Sequence, residues 1–239
     1  MVEEHEQGSA AWYEARAGHV TASRIKDVMA KPRKGQKDSA TRKAYMAQLI
    51  CERLIGKSLE EERGSFYDIK RGKDLESVAR VEYEMSRGVV VDTAGFVKHP
   101  SLPMAGCSPD GLIGKEGLCQ LKAPRRHIHI DWIMAGVVPS DHKEQMLFEL
   151  ACHPERQWND FVSYVEDLPP HLGLFIVRQP RDDVKIAEIE AAVAKFNAEI
   201  DEIMAKLPTG EGDSSLQRQL QDSVDYIKNS KGQKVPIPF

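Results

Sequence analysis

The expected fold depends on two short segments, Cys107-Ser108-Pro109-Asp110-Gly111 and Leu118-Cys119-Gln120-Leu121-Lys122-Ala123-Pro124. Residues 109–111 have the composition of a tight turn, and the apolar runs on both sides favour short β-strands. The strands are expected over residues 104–107 and 118–121. The sequence therefore predicts a hairpin-like unit whose turn carries an aspartate.

Three polar side chains of this unit are expected to face one point. Residues two apart on a strand share a face, so Gln120 and Lys122 look the same way, and Asp110 joins them from the facing strand end. A carboxylate with a second oxygen ligand can hold a hard cation such as Mg²⁺, and the backbone carbonyl of Leu121 adds a third oxygen. A lysine beside the metal orients or deprotonates a water, or stabilises charge on a phosphate. The combination indicates phosphodiester hydrolysis.

The spacing of these residues is weak support when taken alone, because a short pattern of this kind arises by chance in many chains. A second interpretation makes residues 109–111 a plain turn and Lys122 a solvated surface residue. The wider sequence context has to decide between the two.

The remainder of the chain favours a single α/β domain with a helical N-terminal third. Apolar periodicity predicts helices over residues 11–17, 21–30, 39–56, 71–86, 139–152 and 183–207. Further strands are expected over residues 89–91, 95–97, 161–165 and 172–177. His127 and His129 alternate as on a strand, which a solvated edge strand explains as well as a metal pair. We expect one domain over residues 1–212 and an extended tail over residues 213–239, a candidate to dock on a neighbouring subunit.

The composition is typical of a globular cytoplasmic protein. The 239 residues include no long apolar run, and the N-terminus lacks the basic and apolar character of a secretory signal. Four scattered cysteines without a C-x-x-C pattern predict reduced thiols rather than a zinc site. The net charge of −4 does not exclude DNA, because a nuclease needs only a local basic surface. The basic loop with Lys31, Arg33 and Lys34 is a candidate contact to the DNA backbone.

The extended context of the central segment resembles the active-site signature of the phage-lambda-type exonucleases, the viral recombinase nucleases of the restriction-endonuclease-like fold. Three further blocks are similar to motifs of that family and follow the same order. They are Trp12-Tyr13-Glu14-Ala15-Arg16 with Gly18 and Thr21-Ala22-Ser23, then Gly72-Lys73 with Glu76, then Glu144-Gln145-Met146. The four blocks together span more than half of the chain, from residue 12 to about residue 150.

The resemblance implies a restriction-endonuclease-like core, with a mixed central β-sheet flanked by helices. It also implies a processive exonuclease that depends on two Mg²⁺ ions, for which Mn²⁺ substitutes. Such an enzyme digests the 5′-ended strand of linear double-stranded DNA and leaves a 3′ overhang for recombination by a partner annealing protein. The family further implies a ring-shaped homotrimer. The lack of a long apolar run separately predicts no membrane association.

The resemblance also implies roles for the metal-site residues. Asp110 is a metal ligand that bridges two ions, position 120 is the second acidic ligand, and the Leu121 carbonyl completes one shell. Glu76 reaches the second metal directly or through water. Lys122 positions the nucleophilic water. Without the family context, Glu76 is an ordinary surface ion-pair residue beside Lys73 or Arg80 on its helix.

The remaining implied roles concern the water and the DNA end. Gln145 helps to orient the water or the lysine, although on an amphipathic helix it also suits a polar surface. Arg16, Ser23 and Ser108 form a pocket for the terminal 5′-phosphate, and Arg125 or Arg126 adds positive charge. A guanidinium fork and hydroxyls suit a phosphate dianion. Arg16 also suits a simpler role at its helix C-terminus.

Position 120 departs from the family pattern, which has glutamate where this chain has Gln120. An amide brings one neutral oxygen instead of a negative charge, so the site should bind two Mg²⁺ ions poorly. Two origins fit: a deliberate inactivating change, or a natural divergence that keeps DNA binding and loses much activity. The first is favoured because the other positions of the motif are intact.

Three other functions compete with an exonuclease. A site- or structure-specific endonuclease of the same fold would cut closed circular DNA, which an exonuclease ignores. A catalytically inactive DNA-binding module would explain Gln120 but has little use for Glu76, Asp110 and Lys122 together. A domain unrelated to DNA would require all four motif blocks to be coincidental.

Overall fold

The computed structural model describes residues 5–32, 34–35, 39–60 and 66–208, and side chains are described for all of these except residues 66–74. Arg33, the expected domain end at residue 212 and the expected tail over 213–239 lie outside the described residues. The chain forms two compact units, residues 1–200 and 201–239. The first contains every described strand. Of the second, residues 201–208 are described, and they are helical through Lys206.

Helices and short strands alternate along the described chain. The helices are Ala10–Arg16 (α1), Ile25–Val28 (α2), Ala40–Ile55 (α3), Phe66–Arg87 (α4), Arg126–Ala135 (α5), Ser140–Ala151 (α6), Pro170–Gly173 (α7) and Asp183–Lys206 (α8). The strands are Val20–Thr21 (β1), Val91–Asp92 (β2), Val97–Lys98 (β3), Ala105–Cys107 (β4), Gly111–Ile113 (β5), Gly117–Lys122 (β6), Trp158–Tyr164 (β7) and Leu174–Pro180 (β8). Among the helices in the described ranges, none has the length and apolar character that crossing a membrane requires.

The strands form two sheets of mixed direction. A three-stranded sheet has the order β1-β4-β3, and a five-stranded sheet has the order β2-β5-β6-β7-β8. The pairs β1–β4 and β6–β7 are parallel, and the other pairs are antiparallel. Helix α4 packs against β6 and β7, while α6 packs against β4 and β7. The predicted α/β architecture, a mixed sheet flanked by helices, is confirmed.

Strand β6 separates the apolar core from the polar site. Cys119 and Leu121 are buried in one apolar cluster with Tyr83 of α4. Because alternate strand residues point to opposite faces, Gln120 and Lys122 face away from this cluster. The alternation expected for this strand therefore places its two polar side chains together.

The third helix, predicted over residues 39–56, spans Ala40–Ile55. The hydroxyl of Ser39 accepts a hydrogen bond from the backbone N–H of Arg42 at 3.3 Å, which caps the helix N-terminus. Gly56 ends the helix with a φ of 68°, a left-handed conformation that favours glycine. Helix α4 contains the helix predicted over residues 71–86 and begins five residues earlier, at Phe66.

The helix predicted from Thr21 to residue 30 is wrong in its first part. Thr21 belongs to β1, where it pairs with Gly106 of β4, and its backbone N–H donates to the Tyr45 hydroxyl. A 3-10 turn, Ala22–Arg24, follows, and α2 spans only four residues. The Thr21 side chain caps no helix, because pairing with β4 determines the local backbone instead.

The predicted hairpin is also corrected in its partner strand. Strand β6 pairs with β5, whereas the run at residues 104–107 contributes β4 to the other sheet. Asp110 lies where the chain crosses from one sheet to the other. A Cβ at Gly111 would lie 2.1 Å from Cγ1 of Val91 and 2.7 Å from Sγ of Cys119, so the packing of β5 against its neighbouring strands requires glycine at this position.

The two histidines considered as strand residues lie on helix α5 instead. His129 is buried, and its ring nitrogens lie 2.7 Å from Oγ of Ser163 and 2.8 Å from the Leu172 carbonyl oxygen. Both nitrogens have protein partners, so His129 joins α5 to the sheet and is not part of a metal pair.

Candidate active site

The carboxylate of Asp110 is the centre of the site. Its Oδ2 accepts hydrogen bonds from the side-chain amide of Gln120 and, at 2.7 Å, from the backbone N–H of Leu121. The Lys122 ammonium lies 3.9 Å from the same oxygen. The structure thus confirms the predicted placement, in which Gln120 and Lys122 both face the Asp110 carboxylate.

The pKa of Asp110 is raised above its ordinary value, and burial is the main cause. The nearby positive charge of Lys122 opposes the rise, as do the hydrogen bond from Leu121 and the charge of Arg80. Low exposure makes an unneutralised carboxylate costly here. A cation that approached this oxygen would therefore be stabilised.

A chain of amides connects this carboxylate to a second, fully buried one. Nε2 of Gln145 donates to Oε1 of Gln120 at 2.5 Å and to Oε1 of Glu149 at 2.9 Å. Nδ2 of Asn159 donates to Oε2 of Glu149 at 2.8 Å. Glu149 is 0% exposed. The predicted residue Gln145 thus joins the site, and Glu149 is a residue that the sequence interpretation missed.

The spacing of Gln145 and Glu149 was the available signal for Glu149. Residues four apart share a helix face, so a site role for Gln145 places Glu149 on the same side of α6. The sequence does not show that this face of α6 is buried against β7. A charged residue on an amphipathic helix is otherwise expected at the surface.

Burial raises the pKa of Glu149 to about 8, and the negative charge of Asp110 is the second cause. The folded protein therefore holds this proton between about pH 4.5 and about pH 8, whereas the unfolded chain releases it. Because the unfolded state binds fewer protons there, the free energy of unfolding falls as pH rises. We expect a loss on the order of 1 kcal/mol per pH unit in urea titrations without metal, which Glu149→Gln removes. Equal pH slopes for the two proteins would contradict this assignment.

A cavity of about 380 Å³ adjoins Asp110. Glu76 and Arg80, one turn apart on α4, line it together with residues 5–7 and 93–95. Arg80 donates to the backbone carbonyl of Asp110 at 2.8 Å and to that of Val91 at 3.4 Å. The structure therefore brings Glu76 to the same cavity as Asp110. It also shows Arg80 tethering α4 to the segment that carries the aspartate.

Two of the residues predicted for the phosphate pocket are in contact. Nη1 of Arg16 donates to Oγ of Ser108 at 3.3 Å, and the indole N–H of Trp12 donates to the same oxygen at 2.9 Å. The Arg16 guanidinium also binds Oε2 of Glu60 through Nε at 3.0 Å and Nη2 at 2.7 Å. An incoming phosphate would therefore compete with Glu60. The roles of Trp12 and Glu60 were not predicted.

The other pocket residues are placed differently. Ser23 is exposed, with its Oγ 3.3 Å from Oγ1 of Thr21, and no described contact joins it to Arg16 or Ser108. Arg126 is exposed and forms an ion pair with Asp167. No described contact joins Arg126 to Arg16 or Ser108, so the structure does not bring it into the pocket.

The two described residues of the predicted basic loop are exposed. Lys31 lines a groove of about 580 Å³ that also contains Arg42, Lys43 and Lys195. Glu199, paired with Arg42 at 2.6 Å, is the acidic residue lining this groove. Lys34 does not line it.

The implied Mg²⁺ requires oxygen donors, and position 120 does not supply one in this arrangement. Gln120 turns its nitrogen to Asp110 and its oxygen to Gln145. Within the described ranges, no three His, Cys, Asp or Glu side chains gather in a group that could hold a metal ion. Asp110 and the Leu121 carbonyl suit a hard cation, whereas the side chain of Gln120 does not fit it.

Asp110 lies immediately before β5, and Lys122 is the last residue of β6. A mixed sheet flanked by helices with these two residues in these places is the arrangement of a restriction-endonuclease-like nuclease fold. Residues 11–154 match the family model of the YqaJ-like viral recombinase domain. The match covers more than half of the chain, so the chain belongs to the YqaJ-like viral recombinase family. The predicted similarity to the lambda-type exonucleases, the viral recombinase nucleases, is thereby confirmed.

Similar solved structures agree with this assignment. Two crystal structures of the alkaline exonuclease LHK-Exo from Laribacter hongkongensis, one in complex with dAMP, are each 38% identical to the chain. Each alignment covers 90% of this chain and 100% of the other, with a TM-score of 0.75. A phage related exonuclease from Haemophilus somnus 129PT shares the fold at 16% identity and a TM-score of 0.55, over 78% of this chain and 96% of its own. No curated protein gives a significant match.

Proposed function

We propose that the chain is a metal-dependent exonuclease that degrades the 5′-ended strand of linear double-stranded DNA. The observation that carries the proposal is the convergence of Gln120 and Lys122 on the carboxylate of Asp110. Glu76 in the adjoining cavity adds a second acidic group. Family membership and the likeness to alkaline exonuclease structures support the same activity.

Mg²⁺ is the proposed cofactor, as two ions that Mn²⁺ can replace. Asp110, the Leu121 carbonyl and Glu76 would hold it. Gln120 in its present orientation would not take part, whereas a carboxylate at position 120 would. When bound, it would neutralise phosphate charge and lower the pKa of water. The Lys122 ammonium would position the water or stabilise the charge that develops on the phosphate. With Gln120, the protein would therefore bind DNA but cleave it slowly.

Arg16 and Ser108 would receive the terminal 5′-phosphate. We expect Arg16→Lys to reduce the binding preference for a 5′-phosphorylated over an unphosphorylated duplex by about tenfold, because lysine loses the planar fork. Binding would be measured without divalent cations, so that cleavage does not interfere. Arg178→Lys is the matched control, because Arg178 pairs with Asp160 and has no described contact with the pocket. An unchanged preference in Arg16→Lys would remove Arg16 from the pocket.

The wider setting follows from the family resemblance. The proposed active form is a homotrimeric ring in the cytoplasm of a host cell. Its 3′ overhangs would pass to a single-strand annealing protein during recombination. Lys31 and Lys34, with Arg33, would contact the DNA backbone, so neutralising them should flatten the salt dependence of binding.

Digestion of linear and covalently closed circular duplex tests exonuclease against endonuclease action. The assay would use the chain and its Gln120→Glu variant with Mg²⁺. We expect progressive shortening of the linear duplex and intact circles. Cut circles would favour an endonuclease of the same fold. DNA binding without digestion by either form would favour a non-catalytic binding module.

A further inference from the structure

Two side-chain amides, Gln145 and Gln120, lie between two carboxylates, Glu149 and Asp110, and each carboxylate accepts a hydrogen bond from an amide nitrogen. Both oxygens of Glu149 accept hydrogen bonds, one from Gln145 and one from Asn159, so the atom of Gln145 that contacts Glu149 is the amide nitrogen. Above its pKa Glu149 has only acceptors, and it then allows no other orientation of Gln145. The same nitrogen lies 2.5 Å from Gln120 and can meet only its oxygen. The nitrogen of Gln120 is then left facing Asp110, as the structure shows.

Glu149, Gln145 and Gln120 form a relay of hydrogen bonds, and further contacts fix Glu149 at its buried end. Glu149 is fully buried between α6 and β7, and Asn159 donates to its second oxygen at 2.8 Å. Asn159 also lies 3.4 Å from the Met146 carbonyl oxygen. Because buried polar groups need their partners, neither side chain can turn without losing a hydrogen bond.

We propose that Glu149 is a positioning residue that, through Gln145, holds the nitrogen rather than the oxygen of Gln120 toward Asp110. The proposal depends on the proposed function only in taking Asp110 as the metal ligand. An amide nitrogen is a donor and cannot ligate a hard cation, so the relay keeps position 120 out of the metal shell. It explains why the side chain of Gln120 does not fit the implied metal.

The relay should matter only when position 120 is an amide. A carboxylate at position 120 has oxygens at both ends, so Gln145 can hold one while the other faces Asp110. Replacing Glu149 by glutamine allows residue 149 to donate as well as accept. Gln145 and Gln120 could then turn, and an oxygen would reach the metal position.

A double-mutant cycle between positions 120 and 149 tests the proposal. Mg²⁺ affinity would be measured by calorimetry without DNA at about pH 9, above the pKa of Glu149. The loss of a negative charge at residue 149 is common to both backgrounds and cancels in the cycle. We expect Glu149→Gln to be about tenfold more favourable for Mg²⁺ binding with Gln120 than with Gln120→Glu. Factors that agree within about twofold would overturn the proposal.

The cycle also needs a control variant and a second variant that breaks the same relay. Glu52→Gln is the matched control, because Glu52 is also buried and accepts hydrogen bonds, but from Gly18, Gln48 and Leu59. It should show no coupling to position 120. Should Glu149→Gln fail to fold, Gln145→Met breaks the same relay and should give the same cycle.

A spectroscopic measurement reports the orientation directly. In ¹⁵N-glutamine-labelled protein, the side-chain NH₂ signals of Gln120 are identified by their loss in Gln120→Glu. They should shift in Glu149→Gln and stay in place in Glu52→Gln. Unchanged Gln120 signals in Glu149→Gln would show that residue 149 does not orient this amide. These readouts do not depend on cleavage, so they remain valid if the chain proves not to digest DNA.

Discussion

Gln120→Glu should raise Mg²⁺-dependent digestion of linear duplex DNA on the order of a hundredfold or more. The substitution places a negative charge beside Asp110, where the amide nitrogen of Gln120 now lies. A bound metal contributes several kcal/mol to a hydrolytic transition state, and each ~1.4 kcal/mol is a factor of ten in rate. The measurement is the initial rate of nucleotide release from a linear duplex at saturating Mg²⁺.

Gln157→Glu is the matched control for this prediction. Gln157 is exposed, and the substitution adds the same charge away from Asp110. Its rate should equal that of the unchanged chain. Equal rates for Gln120→Glu and the unchanged chain would mean that position 120 does not limit the reaction.

Lys122→Met, made in the Gln120→Glu chain, should abolish most of the digestion that this chain acquires. The ammonium lies 3.9 Å from the Asp110 carboxylate, and methionine keeps the length of the side chain while removing its charge. We expect a fall on the order of a hundredfold in rate, because one group that stabilises developing charge typically contributes this much. Binding to DNA ends without divalent cations should change by no more than about twofold, as one lost contact among several.

The control for Lys122→Met is Lys115→Met. Lys115 is exposed in the turn between β5 and β6, at the far end of the same hairpin. It should leave rate and binding unchanged. A Lys122→Met protein that digests DNA at the rate of its parent would exclude Lys122 from the reaction.

Much of the fold could be predicted because its signals are local. Ser39 and Gly56 bound α3 through hydrogen bonds and a backbone conformation that depend on neighbouring residues. The alternation along β6 likewise placed Gln120 and Lys122 on one face. Such signals act over a few residues, so one sequence reveals them.

The errors arose where distant segments decide the backbone. Thr21 is the first residue of the helix predicted over residues 21–30, but pairing with Gly106 holds it in a strand. The residues before Asp110 read as one arm of a hairpin with β6, yet they pair with β3 in the other sheet. No local pattern records which strand a short segment will join.

In the candidate site, too, local motifs could be predicted and contacts between distant segments could not. Asp110, Gln120, Lys122 and Gln145 were predicted from their motifs, and the structure brings them together. Glu149, which accepts from Gln145, was missed, as were Trp12 and Glu60, which contact Ser108 and Arg16. Their roles depend on burial and on contacts between distant segments. The residues proposed to act on DNA lie in motifs that one sequence shows, whereas the burial that gives their partners a role is not visible in the sequence.

Strand polarity is the most direct test of the proposed exonuclease. The Gln120→Glu chain would be incubated with Mg²⁺ and linear duplexes labelled at either the 5′ or the 3′ end. We expect the 5′ label to appear first as a mononucleotide, while the 3′ label stays in a long single strand. Release of the 3′ label at the same rate, or of either label in internal fragments, would contradict a 5′-to-3′ exonuclease.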